Sequence, residues 1–230
     1  MKSDSQPDPR QANGHSDPGV APYGSAETRL KILDAARTIF AGRGFVDATI
    51  DDIVTRCEVS RGTFYYYFKN KGDVFEALVR MSCSELLEQT KILPASDDPF
   101  TRIEARNLGY LRVFAAYKDI FRNLFQVATI EPRFAALQHE LRMSFLMPIQ
   151  KSLERNLQAG RISKLNPRIV AFGLGGMLDW FAYVWLGLDL LDDPRVTIEE
   201  AAHELSELWY HAIYGSRRHP GCTREPLGGR

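Results

Sequence analysis

Three cysteines are all that this chain of 230 residues contains, and Cys57, Cys83 and Cys222 stand far apart. An odd, scattered set without a C-x-x-C excludes a disulfide framework and a zinc finger, and fits reduced thiols in a cytosol. A charge excess is missing too, since 29 Lys and Arg balance 29 Asp and Glu. That balance argues against a general polyanion binder and leaves room for a local basic patch. There is no Walker loop, dinucleotide glycine fingerprint, H-E-x-x-H or G-x-S-x-G. The five histidines are scattered and none adjoins an obvious nucleophile. Neither catalysis nor a bound metal or cofactor is expected.

Alternating strand patterns of convincing length are also absent, so the fold is expected to be all-α. The start of the chain is polar and lacks an apolar signal core, which fits a cytoplasmic protein. The most apolar run, Ile169 to Leu191, carries Asp179 near its centre. A carboxylate there is costly in lipid, so this run is expected to be a helix of a soluble body and not a membrane span.

Residues 1–25 and 216–230 hold few large apolar side chains and are expected to be flexible tails. Between them, 44% hydrophobic residues over the whole chain make a real core attainable. Leu30, Ile32, Leu33, Ala36, Ile39 and Phe40 recur at helical spacing, and Gly42 and Gly44 predict the end of that first helix. Thr49 predicts the cap of a second, short helix, with Asp51 and Asp52 in its first turn. The turn Cys57-Glu58-Val59 leads to Ser60, the expected cap of a third, and a fourth helix runs from about Asn70 to Gln89. After a break at Pro94 to Pro99, helical patterns cover about 99–117, 119–129, 131–158, 167–188 and 197–214. Pro148 predicts a kink, and Gly160, Asp192-Asp193-Pro194 and Gly215 predict stops.

Between Glu27 and Arg80, nine Lys and Arg face eight Asp and Glu, and the positive charge concentrates between Arg61 and Lys71. There the sequence reads R-G-T-F-Y-Y-Y-F-K-N-K, with no acid. Two short helices joined by a tight turn, the second exposed and basic, make a helix-turn-helix. The pattern G-T-F-Y-Y-Y-F-K-N-K-G-D-V, preceded by A-R-T-I-F-A-G-R-G-F and T-I-D-D-I, resembles the tetracycline-repressor (TetR) family of bacterial transcription regulators. The resemblance covers residues 28 to 78, about a quarter of the chain.

The resemblance implies a three-helix DNA-binding head over 26–72, a linking fourth helix to about 90, and a ligand-binding, dimerising helical bundle over 91–215. It places Tyr65 at backbone and base edges and Lys71 on a phosphate at the start of the fourth helix. From the residues themselves, Arg61 in the first turn of the recognition helix can pair with guanine O6 and N7. Ser60 caps that helix, Gly62 lets it lie close to the groove, and Thr63 can reach a phosphate or a thymine methyl. Tyr65 and Tyr66 fall outward if Phe64 and Phe68 face the core, while Tyr67 can contact phosphate or pack. Thr49 can add a phosphate contact while capping.

In the body, Tyr110, Phe114, Phe125, Phe145, Met177, Trp180 and Tyr183 are candidates to line an apolar effector pocket, and Asn107, Gln126, His139 and Asp179 are its candidate polar members. Gly173, Gly175, Gly176 and the apolar stripe Ala201, Leu205, Leu208, Trp209 and Ile213 fit a homodimer interface. A two-fold pair doubles the few base pairs that one short helix reads, which predicts a palindromic double-stranded DNA operator. The expected function is a repressor released from DNA by a small apolar or aromatic effector. An activator of the same fold and a helical adaptor with a degenerate head are the alternatives, and an adaptor has no need of Arg61, Thr63, Tyr65 and Lys71.

Overall fold

The computed structural model describes residues 25–191 and 195–215. The expected tails (all but Ser25), the Asp192-Asp193-Pro194 turn and Cys222 lie outside the described residues. Among the described residues nine α-helices and one π turn follow one another, and no strand occurs.

Helix α1 (Ala26–Asp47) starts on Ser25, whose hydroxyl accepts from the Thr28 N–H. The glycines predict its end at about residue 42, but helical structure resumes beyond them. Only Gly44 leaves the helix, with φ 78° and ψ 165°, a left-handed φ that glycine adopts without a Cβ penalty. The kink lets Phe45 turn back into the core, where it is 4% exposed. Helix α2 (Ile50–Cys57) starts in a capping box of Thr49 and Asp52 and ends on Glu58 in the left-handed conformation. Helix α3 (Arg61–Tyr67) is capped by Ser60, and α4 (Lys71–Lys91) by Asn70. These short polar caps satisfy the first N–H groups of each helix, which is why the helix boundaries were legible.

The body consists of α5 (Pro99–Ala116), α6 (Lys118–Val127), α7 (Pro132–Gln158), α8 (Pro167–Ala182) and α9 (Ile198–Tyr214). Helix α7 runs unbroken through Pro148, the position of the predicted kink. Helix α8 passes into a π turn over Tyr183–Gly187. Together α8 and this turn are long and apolar enough to cross a membrane by length and composition. However, α8 lies along α7, and Gly175 admits that approach, since a Cβ there would fall 2.1 Å from Leu146 Cδ2.

Two hydrophobic cores form. The body core gathers residues of α4 to α9, including Phe114, Leu178 and Trp209. The head core is not closed by the head alone. Its ring cluster joins Phe40 and Phe45 of α1, Phe75 of α4 and Phe134 of α7, at centroid distances of 4.9 to 5.6 Å. Ile120, Leu124 and Val127 of α6 complete it. The head therefore sits on α4, α6 and α7 as on a platform.

Candidate DNA interface and effector cavity

Helix α3 is held from below and open above. Phe64 is fully buried and Phe68 is 5% exposed, whereas Tyr65 and Tyr66 are 52% and 69% exposed. Large rings left in water on a seven-residue helix offer contact area at little conformational cost. Arg61 is exposed and forms a two-pronged pair with Asp51 of α2, Nε to Oδ1 at 2.6 Å and Nη2 to Oδ2 at 2.7 Å. Such an exposed pair contributes about 0–1 kcal/mol, less than the roughly 1–3 kcal/mol of a guanine contact, so the guanidinium is free to exchange partners. Gly62 is exposed, and a Cβ there would meet only Ser60 Oγ at 3.6 Å. Lys69 extends the exposed basic edge.

Other candidates have their polar atoms engaged within the fold. Thr63 is 8% exposed, its N–H donates to Ser60 Oγ, and the two hydroxyls lie 2.9 Å apart. Thr49 is exposed but donates its hydroxyl to Asp52 Oδ2 at 2.7 Å. Tyr67 is half-buried, and its hydroxyl donates to the Ser25 carbonyl, tying α3 to the start of α1.

Lys71, expected at a phosphate, has its amine engaged within the head. Its Nζ donates to the carbonyls of Phe45, Val46 and Ala48 at 2.9, 2.7 and 2.9 Å. An ammonium has three donors, so all are spent inside the head. The cation also sits 4.9 Å from the Phe45 ring centroid. Its place is the carbonyl end of α1, where a positive charge is favoured.

In the body, α4, α5, α6, α7 and α8 enclose a cavity of about 60 Å³. Of the candidate pocket residues, Tyr110, Phe125, Phe145 and Asp179 line it. One carboxylate ties three helices there. Asp179 of α8 accepts from the Tyr110 hydroxyl of α5 at 2.8 Å and from Arg142 Nη2 of α7 at 2.7 Å. Burial, then Asp179, pushes the Tyr110 phenol well above its ordinary range, so it stays a donor. Burial likewise pushes the Cys83 thiol up to about 12, with Asp179 adding to the shift, so this cysteine of the lining is neutral.

The remaining candidates stand elsewhere. Gln126 and His139 are exposed, and Trp180 is 61% exposed, so these three face away from the cavity. Asn107 is fully buried but bonds to Ser206 of α9, at a different interface. Phe114 stacks behind the lining on Phe121 at 4.8 Å, and Met177 packs against the body core. Tyr183 stacks on Phe125 at 4.2 Å from the π turn and supports the wall without lining it. Gln138 and Arg142 are lining residues that the sequence reading omitted. Both fall on the inward stripe of α7 between Leu137 and Phe145, so following that stripe through its polar members would have found them.

Helix α6 joins cavity to head. Phe121, Leu124 and Phe125 line the cavity. Asn123, 1% exposed, accepts from the Phe45 N–H at 2.7 Å and donates to the Phe40 and Asp119 carbonyls at 3.1 and 2.8 Å. Asp119 pairs with Arg37 of α1 through two hydrogen bonds of 3.0 Å. Leu124 belongs to the head core and the cavity wall alike.

A capped, outward-facing recognition helix on a buried three-helix head defines a helix-turn-helix DNA-binding regulator. Residues 32–78 match the family model of the bacterial regulatory proteins, tetR family. The chain is 42% identical over 53 residues to the uncharacterized HTH-type transcriptional regulator TtgW of Pseudomonas putida, a match covering 23% of this chain and only 40% of that relative. A longer match, 22% identical over 193 residues, covers 80% of this chain and 95% of the fatty acid metabolism regulator protein of Bacillus subtilis. The fold is shared with the fatty acid degradation regulator FadR of Bacillus halodurans, at a TM-score of 0.69 and 19% identity, covering 85% of this chain and 98% of that one. Residues 32–78 are thus a tetR-type DNA-binding head, and the described chain shares its fold with solved TetR-family regulators.

Proposed function

We propose that this regulator is a cytoplasmic repressor that binds a palindromic operator as a homodimer and leaves it when an apolar effector enters the cavity beside Asp179. The observation that carries the DNA reading is the outward set of Arg61, Gly62, Tyr65 and Tyr66 on a helix whose other side buries Thr63 and Phe64. Ser60, Thr63 and Thr49 hold the tip in shape and stand next to it for phosphate contacts.

Dimerisation is supported by uncovered apolar area on the last two helices. Ile169 and Trp180 of α8 and Leu208 of α9 are 69%, 61% and 57% exposed, and Gly173 and Gly176 of α8 have open space at their Cβ positions. Apolar area of that kind is a candidate subunit interface, and a two-fold axis makes it self-complementary.

Effector release follows from size. A cavity of about 60 Å³ is far below the ~300–1,000 Å³ of a drug-sized ligand site. An effector binds only by spreading the helices, and α6 carries that displacement to α1 through Asn123 and Asp119. The ligand shifts the population of head arrangements by no more than its differential affinity for them. Two relatives are named for fatty acid metabolism or degradation, and the apolar lining suits an acyl chain as it suits an aromatic one.

Arg61→Ala is expected to weaken binding to the preferred duplex by about 10–100-fold while unrelated duplexes lose much less. Asp51→Asn, which frees Arg61, is expected to tighten binding. Titration of both variants on specific and random duplexes checks this, and equal losses on both duplexes for Arg61→Ala would reduce that side chain to a phosphate contact.

A further inference from the structure

At the end of the body where α4 finishes lies a second, larger space. A cleft of about 1,000 Å³ opens between the loop after α4, the start of α5, and the ends of α7 and α9. Helix α4 rises about 30 Å over its length, so this end is remote from α3. Four arginines line the cleft: Arg102 and Arg106 of α5, Arg155 of α7 and Arg161 just beyond it. Asp97 is the one carboxylate among its described lining residues.

The arginines are poorly matched by the protein itself. None of the four forms an ion pair among the described residues. Arg102 and Arg161 make single long hydrogen bonds, to the Ser96 carbonyl at 3.4 Å and to Asn156 Oδ1 at 3.5 Å. Arg106 is half-buried with no hydrogen-bond partner among the described residues, and burial, then Arg102, pulls its guanidinium below its ordinary range. Like charges one turn apart on a helix repel, and a half-buried cation without a counter-charge costs stability. Trp209, on the inner wall, is 2% exposed and its indole N–H has no acceptor among the described residues. The Tyr214 hydroxyl lies within electrostatic reach of Arg102 and Arg161.

We propose that this cleft is a binding site for a small polyanion, a molecule bearing adjacent phosphate or carboxylate groups, held by Arg102, Arg106, Arg155 and Arg161. Planar guanidiniums converging from α5 and the end of α7 suit bidentate recognition of such oxygens. The cleft has the volume for a ligand of that class, and its polar wall differs from the apolar cavity beside Asp179. The site stands apart from DNA reading and from the effector cavity, so its test is separable from theirs.

The test is calorimetric titration of the full chain with inorganic pyrophosphate and, in parallel, with citrate. Saturable binding near one anion per chain is expected from at least one of them, and the stronger binder identifies phosphate or carboxylate as the group recognised. Arg106→Met is expected to weaken it by about tenfold or more, and exposed Arg155→Gln by a similar factor without harm to the fold. Arg112→Gln, a change to an α5 arginine paired with Glu199, should leave it unaltered. Without anion, Arg106→Met should melt no lower than the parent, since it removes repulsion. Failure of both anions to bind the parent, or equal affinity in parent and both cleft variants, overturns the proposal.

Discussion

Asn123→Ala is expected to lower stability by about 2–4 kcal/mol and the melting temperature by roughly 5–15 °C. Asn123 is almost fully buried between α6 and α1, and each polar atom of its side chain has a partner. Truncation strands the Phe45 N–H just beyond the Gly44 kink and removes a donor from the Phe40 carbonyl. A buried group left without a partner costs about 1–3 kcal/mol, and the vacated volume adds to that. Beyond stability, the substitution cuts one of the polar links between α6 and the head, the others being Arg37 with Asp119 and Arg122 with the Ala41 carbonyl. The variant is therefore expected to bind DNA with a weakened response to effector. Urea unfolding and DNA titration with and without effector measure the two consequences separately. Full stability in the variant would mean that water replaces the amide at no cost, which its burial argues against.

Lys71→Met is expected to cost about 2–4 kcal/mol of stability while leaving the salt dependence of DNA binding nearly unchanged. The ammonium closes the carbonyl end of α1 with three charge-assisted hydrogen bonds, and methionine keeps the stem but none of the donors. Loss of these bonds loosens the segment between α1 and α2 that Thr49 and Asp52 cap. Affinity for DNA falls through that disorder, on all sequences alike. A lysine seated on a phosphate instead contributes about one unit to the slope of log affinity against log salt. Exposed Lys69 is the better candidate for that contact, and Lys69→Ala is expected to flatten the slope by about one. A flattened slope in Lys71→Met with intact stability would return the amine to the phosphates.

The sequence made most helix starts legible because seven of the nine described are written in one or two local residues. Ser25, Thr49, Ser60, Asn70, Asp98, Asn166 and Thr197 all cap helices with their side chains. The inward set of Phe64 and Phe68, and so the outward set of Tyr65 and Tyr66, follows from helical spacing on a seven-residue helix. The cavity was only half legible. Whether an aromatic of α8 faces the cavity or water depends on how α8 lies along α7, and that is fixed at distance by Gly175 against Leu146. Trp180 and Asp179 are adjacent in sequence, yet one is 61% exposed and the other closes the polar bridge to Tyr110 and Arg142. The intramolecular partners of Lys71 were equally out of reach. Its acceptors lie 23 to 26 residues back and become a cluster only when Gly44 turns the chain.

In the proposed function, two copies of the α3 tip read one duplex. Selection of fragments from a random duplex pool by the full-length protein, with the stoichiometry of the complex measured on the enriched fragment, tests it most directly. An enriched inverted repeat is expected, its half-sites about one helical turn apart or a multiple of it, bound by an even number of chains. Fragments without two-fold symmetry, or a single chain on the enriched duplex, would contradict it.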